Sequence, residues 1–123
     1  METSGKQNVT YGILEASIQA PNTTNQGLWP AWWALGSDYP TVGWPDCGES
    51  DIMELWSPQV DNGPGPGGNN STIHTEETGG DGIGDRYTFP GAESNDTAFH
   101  TYGIVWTENQ MQFFVDNPAR SSQ

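Results

Sequence analysis

The chain has 123 residues, with 16 glycines, nine prolines and only 15% charged residues, against about 25% in an ordinary soluble domain; this excludes coiled coils and long amphipathic helices, and one domain is expected. Apolar residues are 33% of the chain, but six Trp, four Tyr and four Phe supply enough buried area for a thin core. Sixteen acidic residues against three basic ones give a formal charge of −13 with no Lys/Arg cluster, which excludes nucleic acid and anionic membrane surfaces as main partners.

Residues 11–20 alternate, with Leu14, Ala16, Ile18 and Ala20 on one face and Glu15, Ser17 and Gln19 on the other, the pattern of a half-buried strand. Pro21 and the polar run to Gly27 end it. Residues 28–35 are short and apolar, and Pro30 argues against a helix there, so a second strand is predicted. Residues 36–48, rich in Gly and Pro, read as a loop leading into residues 49–56, an apolar segment that carries three carboxylates. The glycine–proline tract 63–70 has too few side chains to pack. Residues 71–75 follow as a short strand, and 76–84 as a loop. Residues 99–106 and 111–116 are β-rich and joined through 107–110 as a hairpin. With no repeat and no helix pattern, these short punctuated strands predict an all-β chain, an antiparallel β-sandwich or barrel.

No apolar run approaches the roughly 18 residues of a membrane span, and no basic stretch followed by an apolar one comes after Met1. Cys47 is single and the histidines are only His74 and His100, too few for an internal disulfide or a structural zinc set. No cofactor or metal is expected, the acidic loops offering at most weak Ca²⁺ binding. Five N-x-S/T sequons, at Asn8, Asn22, Asn69, Asn70 and Asn95, lean toward an extracellular, secreted protein. The tract 63–68 lacks the Lys and Ser/Thr of a phosphate loop and reads as a rim loop.

The sharpest feature is Glu49-Ser50-Asp51-Ile52-Met53-Glu54. In a regular strand Glu49 and Asp51 share a face and Glu54 points the other way. A β-bulge at Ile52/Met53 restores it, putting all three carboxylates on one face while Ser50, Ile52 and Leu55 turn to the core. Taken alone, acidic residues on a strand are equally well explained as its solvated face. Three like charges on one face repel, however, and these sit in a stretch that includes Trp44 and Trp56. Aromatic platforms beside paired carboxylates suit a neutral sugar polymer, by stacking and by acid/base chemistry. A lone Trp is more often core than ligand, and Trp56 is drawn to the site by its parity with Glu54.

The run Trp44-Pro45-Asp46-Cys47-Gly48-Glu49-Ser50-Asp51-Ile52-Met53-Glu54 resembles the signature of glycoside hydrolase family 16, laminarinase-like branch: E-x-D-x-x-E preceded by W-P-x-C-G. Tyr11-Gly12-Ile13-Leu14-Glu15-Ala16, Gly27-Leu28-Trp29-Pro30-Ala31-Trp32-Trp33, Thr72-Ile73-His74 and Phe99-His100-Thr101-Tyr102-Gly103-Ile104-Val105-Trp106 follow the family order. The inserted Met53 makes the chain similar to the bulged branch rather than to the E-x-D-x-E one. The resemblance implies a jelly-roll sandwich, with residues 1–123 an incomplete catalytic domain lacking outer strands and the C-terminal part. It implies Glu49 as nucleophile, Glu54 as general acid/base and Asp51 as the group tuning their protonation. It further implies sugar subsites at Trp29, Trp33 and Trp44, and His74 as a cleft histidine. The activity implied is endo-acting, retaining hydrolysis of a neutral β-glucan, 1,3 or mixed 1,3-1,4, by a monomer; the alternative is a non-catalytic β-1,3-glucan recognition module. Retention of both Glu49 and Glu54 speaks against that alternative.

Overall fold

The computed structural model describes residues 2–23, 27–55, 68–89 and 97–116. Among these the strands are β1 (Gly12–Gln19), β2 (Ala31–Leu35), β3 (Glu49–Glu54), β4 (Gly68–His74), β5 (Ile83–Thr88), β6 (Phe99–Thr107) and β7 (Gln110–Val115). They form two antiparallel sheets, β1-β6-β7 and β2-β3-β4-β5. The all-β sandwich is therefore present, as period-two alternation on β1 required: Leu14, Ala16 and Ile18 are the partly covered positions of that strand and its other residues are exposed.

The core lies between the sheets. Ile52, Met53 and Leu55 from β3 and the residue after it pack with Tyr102 and Ile104 of β6, Val115 of β7, Ala20 and Phe89. Leu14, Ile18, Trp32, Met111 and Phe113 border this cluster. At the far end of β6, His100 hydrogen-bonds the Asp116 carboxylate, which also accepts from Thr101 N–H at 2.8 Å. Burial alone would raise the Asp116 carboxyl, but the bonds from His100 and Thr101 outweigh it and hold the group below its ordinary range. His100 is thus engaged with Asp116 at this end of the sheet. Trp106 lies on β6, edge-on to Tyr11 at 5.4 Å.

The predicted bulge is present. On β4, Thr72 faces Asp51 and Asn70 faces Glu54, leaving Ile52 and Met53 opposite the single residue Ser71. On the other side, Trp32 faces Met53 and Trp33 faces Asp51, so Ile52 is skipped there too. Met53 is buried along with Ile52 and Leu55.

Several boundaries differ from the sequence reading. The loop 36–48 contains a one-turn helix, α1 (Tyr39–Val42), closed by Gly43 N–H donating to Tyr39 C=O. β2 begins at Ala31, so Trp29 and Pro30 precede the strand. β4 starts at Gly68, three residues earlier than expected, since Gly68 already pairs with Thr88 of β5; a Cβ at Gly68 would lie 2.2 Å from Arg86 Nε. β5 itself was not predicted. It is an edge strand with all six residues exposed, so no alternation marks it. Of the tract 63–68, all but Gly68 lies outside the described residues, as do Trp56 and Asn95.

Candidate active site

Directly opposed residues of an antiparallel pair share a face, and the register therefore assembles one outward face of the four-stranded sheet. From β2 come Ala31, Trp33 and Leu35; from β3 Glu54, Asp51 and Glu49; from β4 Asn70, Thr72 and His74. An open cleft of ≈ 300 Å³ on this face is lined by Trp29, Ala31, Trp33, Glu49, Asp51 and Glu54. The three carboxylates thus project to one side, because the bulge adds the one residue that turns Glu54 back.

Asp51 is the buried member of the three. His74 Nε2 stands 3.2 Å from its Oδ2, and one ligand-type atom each from Glu49, Asp51 and His74 lie within 4.8 Å of one another. Burial first, then the charges of Glu54 and Glu49 and a hydrogen bond to Glu49, push the Asp51 carboxyl up to about 8. The shift favours the protonated form of Asp51, whose hydroxyl hydrogen-bonds the Glu49 carboxylate. Glu54 is also raised, by burial first and in part by Glu49; a hydrogen bond from Trp29 and the nearby His74 oppose the rise. The bond is direct, Trp29 Nε1–H to Glu54 Oε1 at 2.8 Å.

Trp29 and Trp33 stand 64% and 50% exposed beside the carboxylates. Trp44, 46% exposed, lies beside the cleft rather than in its lining: its ring meets that of His74 at a centroid distance of 5.7 Å. Gly82, with φ +68, lets the chain entering β5 pass against His74, since a Cβ there would come within 2.7 Å of His74 Nδ1. Cys47 is a free thiol near this loop, its Sγ 3.5 Å from Gly48 O.

Two residues beneath the site were not singled out in the sequence as site residues. Asn69 entered as a sequon, yet it is 1% exposed and both its amide hydrogens are engaged, by Ile52 O and Ser71 Oγ. Folded protein cannot present that nitrogen to a glycan. The spacing of Asn69 and Ser71 was the available signal, since residues i and i+2 of a strand share a face.

Residues 1–122 match the family Glycosyl hydrolases family 16. The "Beta-glucanase" of Rhodothermus marinus is 36% identical over 122 residues, covering 94% of this chain and 38% of that protein. The laminarinase of Flavobacterium sp. UMI-01 superposes with a TM-score of 0.77 at 40% identity, over 94% of this chain and 46% of that one. The laminarinase catalytic domain of Thermotoga maritima gives 0.78 at 35% identity, over 93% and 43%. The chain spans less than half the length of each. A match running from residue 1 to residue 122, on a sandwich whose bulged strand gathers three carboxylates, establishes that the chain belongs to glycosyl hydrolases family 16.

Proposed function

We propose that the chain carries the catalytic centre of an extracellular, endo-acting β-glucan hydrolase that cleaves 1,3 linkages, alone or within mixed 1,3-1,4 chains, with retention of configuration. The observation that carries this is the common face of Glu49, Asp51 and Glu54 beside the exposed Trp29 and Trp33 rings. Glu54, raised, gives its proton to the glycosidic oxygen as the C1–O bond breaks, and the Glu49 carboxylate forms an ester to C1. Glu54, now ionised, then takes a proton from the water that attacks C1 and releases Glu49. Asp51, protonated beside them, donates to Glu49 and keeps a second negative charge out of the cluster. The reaction draws on the chain's own carboxylates and on no cofactor.

A net charge of −13 favours a neutral polymer over a polyanion, and a monomer suffices for the site. Among the described residues no helix is long and apolar enough to cross a membrane. Reducing-sugar release from laminarin, lichenan and cellulose tests the reading. Release from laminarin above cellulose is expected; binding of laminarin without any release would make the chain a recognition module instead.

A further inference from the structure

We propose that Asn69, seconded by Ser71, is a positioning residue for Glu54: its side-chain amide clamps the β3 bulge and so sets the direction of the carboxyl above it. A bulge interrupts the ladder, and the polar main-chain groups at the interruption need partners because they are buried. Here the partners are side chains from β4. Asn69 Oδ1 accepts from Glu54 N–H at 3.1 Å, and Asn69 Nδ2 donates to Ile52 O at 3.3 Å and to Ser71 Oγ at 3.1 Å. Ser71 Oγ–H donates to Ile52 O at 3.0 Å.

This network is closed. Asn69 uses both amide hydrogens and its oxygen, and Ser71 gives its hydrogen while accepting from Asn69. The main-chain groups on the two sides of Met53 ask for one acceptor and one donor. A primary amide offers the two on separate atoms of one short side chain, so that it reaches both groups at once; an ionised carboxylate only accepts, an aliphatic group does neither, and a hydroxyl has to serve both from a single atom. Burial adds to the constraint, Asn69 and Ile52 being 1% and 2% exposed, so no water substitutes.

The consequence is geometric. Glu54 is the last residue of β3, and its direction depends on the bulge staying between Asp51 and itself. Were the strand to slip to a regular register, Glu54 would turn to the core face. The clamp holds the main chain on one side of the carboxyl, and Trp29 Nε1–H holds the carboxyl itself. Asn69 does not itself line the cleft and acts through Glu54, which does.

The role assigned to Asn69 rests on Glu54 being the acid/base, and the test separates the two. In Asn69→Ala, amide exchange of Glu54 should accelerate at least about tenfold, the loss of one hydrogen bond, while the Tyr102 and Ile104 amides keep their protection. The Trp29 indole N–H resonance should shift, because it reports where the Glu54 carboxyl sits. On laminarin kcat should fall about 100-fold with KM little changed, whereas an aryl glycoside with a good leaving group should lose only a few-fold, since it needs no proton from Glu54. Ser71→Ala, which leaves the Glu54 N–H bond in place, should change all of these in the same direction by less, and it decides the matter if Asn69→Ala does not fold. Unchanged Glu54 exchange and an unmoved Trp29 resonance would overturn the clamp. Equal losses on both substrates would reduce Asn69 to a structural residue. A wild-type chain inactive on every glucan would sink the hydrolase reading, with the exchange and resonance data still deciding whether the clamp exists.

Discussion

Trp29 and Glu54, 25 residues apart, are joined by an indole N–H to carboxylate bond of 2.8 Å, so that an exposed ring outside any strand is tied to the end of β3. That bond favours the ionised carboxylate and opposes the burial that raises Glu54. Trp29→Phe keeps an aromatic surface and removes the donor, so Glu54 should hold its proton to higher pH. The basic limb of kcat/KM against pH is expected to move upward. A limb that stays or moves down would separate this bond from catalysis.

Asp51 makes stability depend on pH in a stated direction. Its carboxyl ionises near 3.8 when unfolded and near about 8 when folded, so between these values the folded state binds the extra proton, and stability falls as pH rises across that window. Asp51→Asn keeps a donor toward Glu49 and cannot ionise. Its melting temperature should exceed that of the parent at pH 8 and approach it at pH 4. A gain of equal size at both pH values would contradict a protonated Asp51.

Glu49→Gln should abolish turnover and leave glucan binding, because the amide preserves shape but forms no ester intermediate. Glu54→Ala should hurt polysaccharides far more than activated aryl glycosides, and azide should rescue it with a glycosyl azide of retained configuration. Polarimetry or proton NMR of the azide product decides; an inverted product would refute the retaining assignment.

Deleting Met53 removes no carboxylate yet should lower activity by orders of magnitude, since one residue fewer turns Glu54 to the other face. Circular dichroism with laminarin assays on folded protein would check this. Undiminished activity with the 1,3 preference intact would mean that the bulge does not set the face.

Trp33→Ala and Trp44→Ala should each weaken laminarihexaose binding by roughly 1 to 3 kcal/mol if their rings stack on sugar, by analogy with base stacking on aromatic side chains. Trp44 lies beside the cleft against His74, so its loss should be the smaller. Calorimetry reads both. Equal affinity in the two variants and the parent would return these rings to a structural role.

Local order in this chain was readable wherever one face of a strand is covered. β1 shows its alternation because Leu14, Ala16 and Ile18 turn inward, and β6 and β7 stand out because Tyr102, Ile104 and Val115 fill the core. The carboxylate face was readable too, because side-chain direction has a period of two and Met53 shifts the count by one. β5 escaped notice for the opposite reason: with both faces exposed, nothing selects alternating residues. Asn69 was hidden in a sequon, and its role depends on Ile52 and Glu54 of β3 lying alongside it, with Ser71 two residues on in its own strand. The proton on Asp51 likewise arises from what only the fold brings about, its burial and then the charges of Glu54 across the bulge and of Glu49. Periodicity records which way a side chain points, a property of neighbouring bonds. Distances between strands, and the burial and charge coupling that follow from them, are set by register and sheet packing, which only the tertiary structure decides.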